Sequence, residues 1–170
     1  MQFEDVLDAR KSVRNFSARP VEDSEIKKIL RAGISAPSAG NIQPWRFTVV
    51  KSKVARERLI DSLGQRWAAA APVVIVVSLD PRPSAARYGD RGLALYAVQD
   101  CAAAAENMLL TAINLGLAGC WIGAFDESAV ATAIGLKKPI TPVTIIPIGY
   151  SAQGSGKQAR RPLEDVSSWI

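Results

Sequence analysis

From Leu93 to Leu115 the chain offers almost no polar face. Leu95, Val98, Cys101, Ala105, Met108, Leu109 and Ala112 recur at helical spacing, and Ala94, Ala97, Ala104 and Leu110 extend the apolar surface nearly all round. The pattern predicts one long helix, and a helix with so little polar surface has to be buried on most sides. The run Pro72–Leu79 is its counterpart: apolar on both faces and rich in valine, it predicts a strand at the centre of a sheet. Alanines 102–105 let another helix come close, which favours burial against a second subunit over burial within a monomer.

Around these two elements helices and strands interleave. Residues 3–10 read as a short helix; Asp23 or Ser24 caps a second, whose stripe Ile26, Ile29, Leu30, Gly33 and Ile34 runs to Ala36. Arg46–Lys51 reads as a strand, and 53–64 as a helix burying Val54, Leu59, Ile60 and Leu63 before Gly64 stops it. Asp80–Gly92, with two prolines and two glycines, reads as a long irregular segment, either mobile or covering a substrate. Gly116–Asp126 reads as a short strand with bends, Asp126 or Ser128 caps a helix ending at Gly135, and Pro142–Tyr150 is a last strand, edge-like because of Pro147. One sheet sandwiched by helices in a single domain over residues 1–170 is the physical expectation.

Between the second helix and the first strand lies Ala36-Pro37-Ser38-Ala39-Gly40-Asn41-Ile42-Gln43-Pro44-Trp45-Arg46. Prolines and glycine exclude regular structure, while Ser38, Asn41 and Gln43 supply directed hydrogen-bonding groups and Trp45 an anchor. A rigid loop of this kind suits a flat ligand with polar edges. It equally suits a tight turn in which Asn and Ser cap backbone groups. Upstream, Arg10, Ser12 and Arg14 project to one side if the segment is extended, a set that can clamp a phosphate or simply complement the end of the first helix. Gly119–Ala124, punctuated by glycine, can bring backbone amides close to a flat ligand or form a bent strand. In the tail, Gly154-Ser155-Gly156-Lys157 lacks the glycine and hydroxyl residue of a phosphate loop, which leaves Arg160 and Arg161 as possible phosphate ligands or as solvated charge.

Composition removes whole classes of chemistry. The 170 residues contain no histidine, so Ser-His-Asp and Cys-His nucleophile pairs and imidazole metal sites are excluded. Hard chemistry then falls to a bound cofactor. Cys101 and Cys120 have no CxxC spacing and indicate no disulfide framework. The net charge of +5 favours an anionic partner, but it is spread along the chain, against a nucleic-acid arm. The acidic start Met1–Asp5 reads as no signal peptide, and the apolar run Ala68–Val77 is too short to span a membrane, so a soluble cytoplasmic protein is expected.

Four stretches, Arg10–Phe16, Ala36–Trp45, Gly116–Phe125 and Gly149-Tyr150 followed by Arg160-Arg161-Pro162-Leu163, stand in the order of, and together resemble, the nitroreductase family of FMN-dependent NAD(P)H oxidoreductases. The resemblance implies an α+β fold, a mainly antiparallel central sheet flanked by helices, and a homodimer with an exchanged C-terminal arm and two FMN sites at its interface. It implies that Arg10, Ser12 and Arg160, with Arg161 next, grip the phosphate and ribityl chain, and that Lys11 and Arg14 serve the phosphate side or the pyrimidine edge. Pro37, Ser38, Ala39 and Asn41 then line the isoalloxazine, Asn41 bonding its pyrimidine, and the backbone of Gly123 and Ala124 meets the N5 side. Lys11 stands where Arg or His is common, and the short chain lacks insertions that shape the substrate pocket in larger relatives. The implied reaction is a ping-pong hydride transfer from NADH or NADPH to a nitroaromatic, quinone or related electron-poor acceptor, with no side-chain catalyst and no metal. Reductive dehalogenation, flavin fragmentation and flavin binding without turnover are the alternatives.

Overall fold

The β-branched run at the centre of the chain forms β2 (Val73–Leu79), every residue of which is buried. In the computed structural model, which describes residues 1–153 and 158–170, β2 pairs antiparallel with β1 (Trp45–Val50) on one side and with β4 (Thr141–Gly149) on the other. The two-residue β3 (Ala118–Gly119) pairs antiparallel with β4, so the sheet order among the described residues is β1-β2-β4-β3. Gly154-Ser155-Gly156-Lys157 lies outside the described residues.

Alternation along β2 builds two apolar layers. Val73, Ile75, Val77 and Leu79 face α2 (Asp23–Ile34) and α5 (Ala97–Asn114), meeting Ile26, Ile29, Ala105 and Met108. Val74 and Val76 face α3 (Lys53–Leu63) and α6 (Glu127–Ile134), meeting Leu59, Ile60, Leu63 and Val130. The result is an α+β sandwich of helix, sheet and helix. A side chain such as Met108, wholly buried, contributes about 1.5–3 kcal/mol by leaving water. A Cβ on Gly33 would meet that methionine's tip, so a larger residue there would require Met108 to move.

Several element expectations change. Asp80–Gly92 is not irregular: Pro81–Arg91 forms a helix, α4. Asp80 caps it, accepting the Arg82 N–H at 3.2 Å, and its prolines sit in the first turn, where a missing N–H costs nothing. Gly89, at φ 57 and ψ −143, kinks it. A π-helical turn, Gly92–Tyr96, then leads into α5, so the long apolar stretch is not one continuous α-helix. β4 is internal rather than at an edge. The Pro147 oxygen accepts from Cys120 N–H at 3.3 Å just past the end of β3, so the proline's missing donor falls where that ladder is interrupted before the Ile122–Ile145 bridge. Val54 is 68% exposed instead of buried, and the second helix is capped by Glu22, through a capping box with Glu25, rather than by Asp23 or Ser24. Among the described residues no helix is long and apolar enough to cross a membrane.

Candidate functional site

The first helix, α1 (Phe3–Ala9), ends where the Arg10 N–H bonds Val6 O at 3.0 Å and the backbone turns extended. Ser12 then bridges Gly119 in parallel, with Val13 N–H donating to Gly119 O at 3.0 Å, and Phe16 bridges Ser151. Val13 (1% exposed) and Phe16 (5%) drive this docking by packing on Ala71 and Ala118. With Val13 turned inward, alternation puts Ser12 and Arg14 on the opposite side. Arg14 extends over the Trp67 ring at 5.8 Å, and Gln65 donates to Ala124 O at 3.1 Å. The segment 10–14, the turn carrying Gln65 and Trp67, and Gly123-Ala124 therefore form one group along the β3 side of the sheet.

The loop after α2 forms a second group. Gly40, Asn41 and Gln43 all have left-handed backbones, at φ 57, 57 and 55. Asn tolerates that conformation, but a non-glycine residue held there costs about 1–3 kcal/mol and persists only where surroundings enforce it. The enforcing contacts are specific. Ser38 Oγ accepts Gln43 N–H at 3.0 Å, Asn41 Oδ1 accepts from the Gln43 side chain at 3.1 Å, and Trp45 is buried. Ala39 N–H donates to Asp100 Oδ1 at 3.0 Å, and Arg87 donates to Gly40 O at 3.0 Å. The capping role that the sequence allowed for Ser38 is thus realised. Pro37, Ser38, Ala39 and Asn41 remain together at the surface.

Asp100 is the residue that sequence reasoning missed. It is 6% exposed, and among the described residues its Oδ2 has no hydrogen-bond partner. Burial pushes its carboxyl pKa up, opposed by the Ala39 N–H. A lone acid among Ala97, Cys101 and Ala104 on the buried face of α5 was the available signal. The neighbouring Cys101 thiol is pushed up to about 12 by burial and by Asp100.

The segment 10–14 and the polar loop lie at diagonal corners of the sheet. Ser12 sits beyond β3, in register through Gly119 and Ile148 with Val73 at the start of β2. The loop enters β1 at Trp45, opposite Leu79 at the end of β2. Four interstrand steps and six residues of strand put the corners about 25 Å apart. Arg160 and Arg161 join neither group through bonds of their own: Arg160 bonds Ala159 O, and Arg161 bonds Asp165. The tail they start leaves Leu163, Val166, Trp169 and Ile170 exposed, Trp169 at 95%. Along the outer edge of β1 a cavity of about 720 Å³ opens between Val50, Lys51, Ala55, Arg58 and Thr132.

Fold and composition define an α+β sandwich with cationic and polar surface groups and no histidine chemistry. The comparisons add its class. The nitroreductase family model matches residues 7–70 and 60–150, and the chain belongs to that family and is an oxidoreductase. An Archaeoglobus fulgidus protein provisionally named NADH dehydrogenase/NAD(P)H nitroreductase is 36% identical over 147 residues, covering 83% of this chain and 80% of its own. The NADH dehydrogenase of Thermus thermophilus is 28% identical, covering 96% and 97%. A Staphylococcus epidermidis structure, provisionally an NAD(P)H:FMN oxidoreductase, superposes with TM-score 0.89 at 26% identity over 99% of this chain and 96% of that one.

Proposed function

We propose that this oxidoreductase is an FMN enzyme that takes reducing equivalents from NADH or NADPH and delivers them to a nitroaromatic, a quinone or a related electron-poor acceptor in a ping-pong cycle. One observation carries the reading: the cationic group and the polar loop, each suited to one half of a flavin nucleotide, lie at opposite corners of a chain. About 25 Å is too far for one chain to close both around one flavin, so two chains in a symmetric dimer would each give one half to each of two sites. Names among the relatives point the same way, to NAD(P)H and to FMN.

The residues present fit the group on chemistry. Arg10, Ser12 and Arg160, with Arg161 beside it, would hold the phosphate, since guanidiniums bind its oxygens as a fork. Lys11 and Arg14 would put positive charge near the phosphate and the pyrimidine edge, favouring the negative charge that reduction adds there. Pro37, Ser38, Ala39 and Asn41 would bound the ring, with the left-handed backbone pre-set before binding. Gly123 and Ala124 would face the ring by backbone, and the Gln65 bond would hold Ala124 in place. When bound, FMN supplies the hydride transfer that no side chain here provides.

The dimer would also seat the tail. Among the described residues β1 has an unpaired edge beside the 720 Å³ cavity, and four large apolar side chains of the tail are exposed in the single chain. An arm crossing to the partner's β1 would cover both. Two free, buried cysteines accord with a reducing compartment, so a cytoplasmic location belongs to the same reading. The purified protein should be yellow and should bleach under anaerobic NADH or NADPH. A colourless protein that takes up no FMN would overturn the reading.

A further inference from the structure

Helix α4 and the π-turn after it carry a feature that flavin binding does not use. Arg87 donates one N–H to Gly40 O, and its guanidinium carbon lies 5.4 Å from the Tyr88 ring centroid. Arg91 is held the same way by Tyr96, at 5.4 Å from the ring centroid and with Nε 2.8 Å from the hydroxyl. The two tyrosines meet edge to face, 5.3 Å apart at 85°. Cation, ring, ring and cation thus form one row that starts on the polar loop. The contact is close: a Cβ on Gly40 would stand 2.6 Å from the Tyr88 hydroxyl and 2.7 Å from Arg87.

Both guanidiniums are exposed, and among the described residues neither is paired with a carboxylate. Arg82 on the same helix makes the contrast, because Asp80 takes it with bonds of 2.8 and 2.6 Å. A cation already held against a ring loses less freedom when it binds, and both side chains here remain exposed. Such a pair is built to meet an anion brought from outside.

Resting on the FMN reading above, we infer that Arg87 and Arg91 recognise the pyrophosphate of the incoming nicotinamide dinucleotide. A dihydronicotinamide that stacks on a ring bounded by residues 37–41 must trail its ribose and phosphates past the rim of that loop. Arg87 stands on the rim at Gly40, and Arg91 continues the row outward. The pyrophosphate is common to NADH and NADPH, so the pair serves both donors.

Calorimetric titration with ADP-ribose, which carries the pyrophosphate but no nicotinamide ring, tests this whether or not flavin is bound. Losing a charge-assisted contact should weaken ADP-ribose about tenfold or more in Arg87→Ala and in Arg91→Ala. Among the described residues Arg91 bonds Tyr96 and not the loop, so its variant leaves the loop's own bonds alone. Anaerobic single-turnover flavin reduction supplies the second arm. In Arg91→Ala, which leaves the Arg87–Gly40 contact in place, the concentration dependence for NADH and NADPH should shift upward, while that for N-benzyl dihydronicotinamide, which has no phosphate, should stay. Unchanged ADP-ribose affinity in the double variant overturns the inference, as does equal weakening of all three hydride donors by Arg91→Ala, which would make the arginine row a support for the loop. ADP-ribose binding that depends on these arginines in a protein that takes up no FMN would leave this assignment standing and remove the flavin reading.

Discussion

Asp100 accepts the backbone N–H of Ala39 at 3.0 Å, so the first turn of α5 holds the strained loop across 61 positions of chain. Burial raises this carboxyl's folded pKa, and the sign of its effect on stability follows. Its contribution is fully present below its unfolded value of about 4 and is lost as pH rises through the folded value. Asp100→Asn keeps an acceptor for Ala39 but carries no charge. Melting curves recorded from acid to neutral pH should move in the variant's favour as pH rises. Parallel curves would show that Asp100 does not titrate with folding.

Asp80 should behave in the opposite sense. Its hydrogen bonds from Arg82 hold its pKa below the usual carboxylate range. Stability from this group is therefore present above about 4 and lost as pH falls through the folded value. At neutral pH Asp80→Asn should cost about 2 kcal/mol in urea unfolding, through the weakened cap of α4 and the lost charge-assisted bonds.

Gly40→Ala tests the loop backbone. The position is left-handed at φ 57, and the added methyl would meet the Tyr88 hydroxyl and Arg87. A penalty of about 1–2 kcal/mol from backbone strain alone should lower the melting temperature, and displacing the loop should weaken FMN as read by fluorescence titration. Full flavin affinity in this variant would detach the loop from the site.

Removing residues 163–170 should convert a dimer into a monomer in light scattering, because it deletes Leu163, Val166, Trp169 and Ile170 from the arm. A truncated chain that stays dimeric would place the interface elsewhere.

How far the sequence alone reached depends on whether a signal was local. α3 and α6 could be read because Gly64 and Gly135 end them in left-handed caps, and β2 because it is apolar on both faces. α4 could not: its prolines and glycines read as irregularity, yet the prolines occupy the first turn under the Asp80 cap. Pro147 suggested an edge because the end of β3 beside it is a tertiary fact. For the site, the residue types in 10–14 and 36–46 were visible. Their separation to opposite corners was not, since it depends on strand order. Asp100 and Arg87 act through partners 47 or more residues distant, which no spacing rule reveals.

If each flavin site takes one half from each of two chains, mixed dimers should rebuild it. One variant carries Arg10→Ala and Arg14→Ala; the other carries Asn41→Ala. Each homodimer should bind no FMN. After subunit exchange at equal amounts, half of the dimers pair the two variants, and each of those rebuilds one intact site, so bound FMN should recover to about a quarter of the wild-type content. Mixtures that remain as empty as the parents, despite proven exchange, would contradict a site shared between chains.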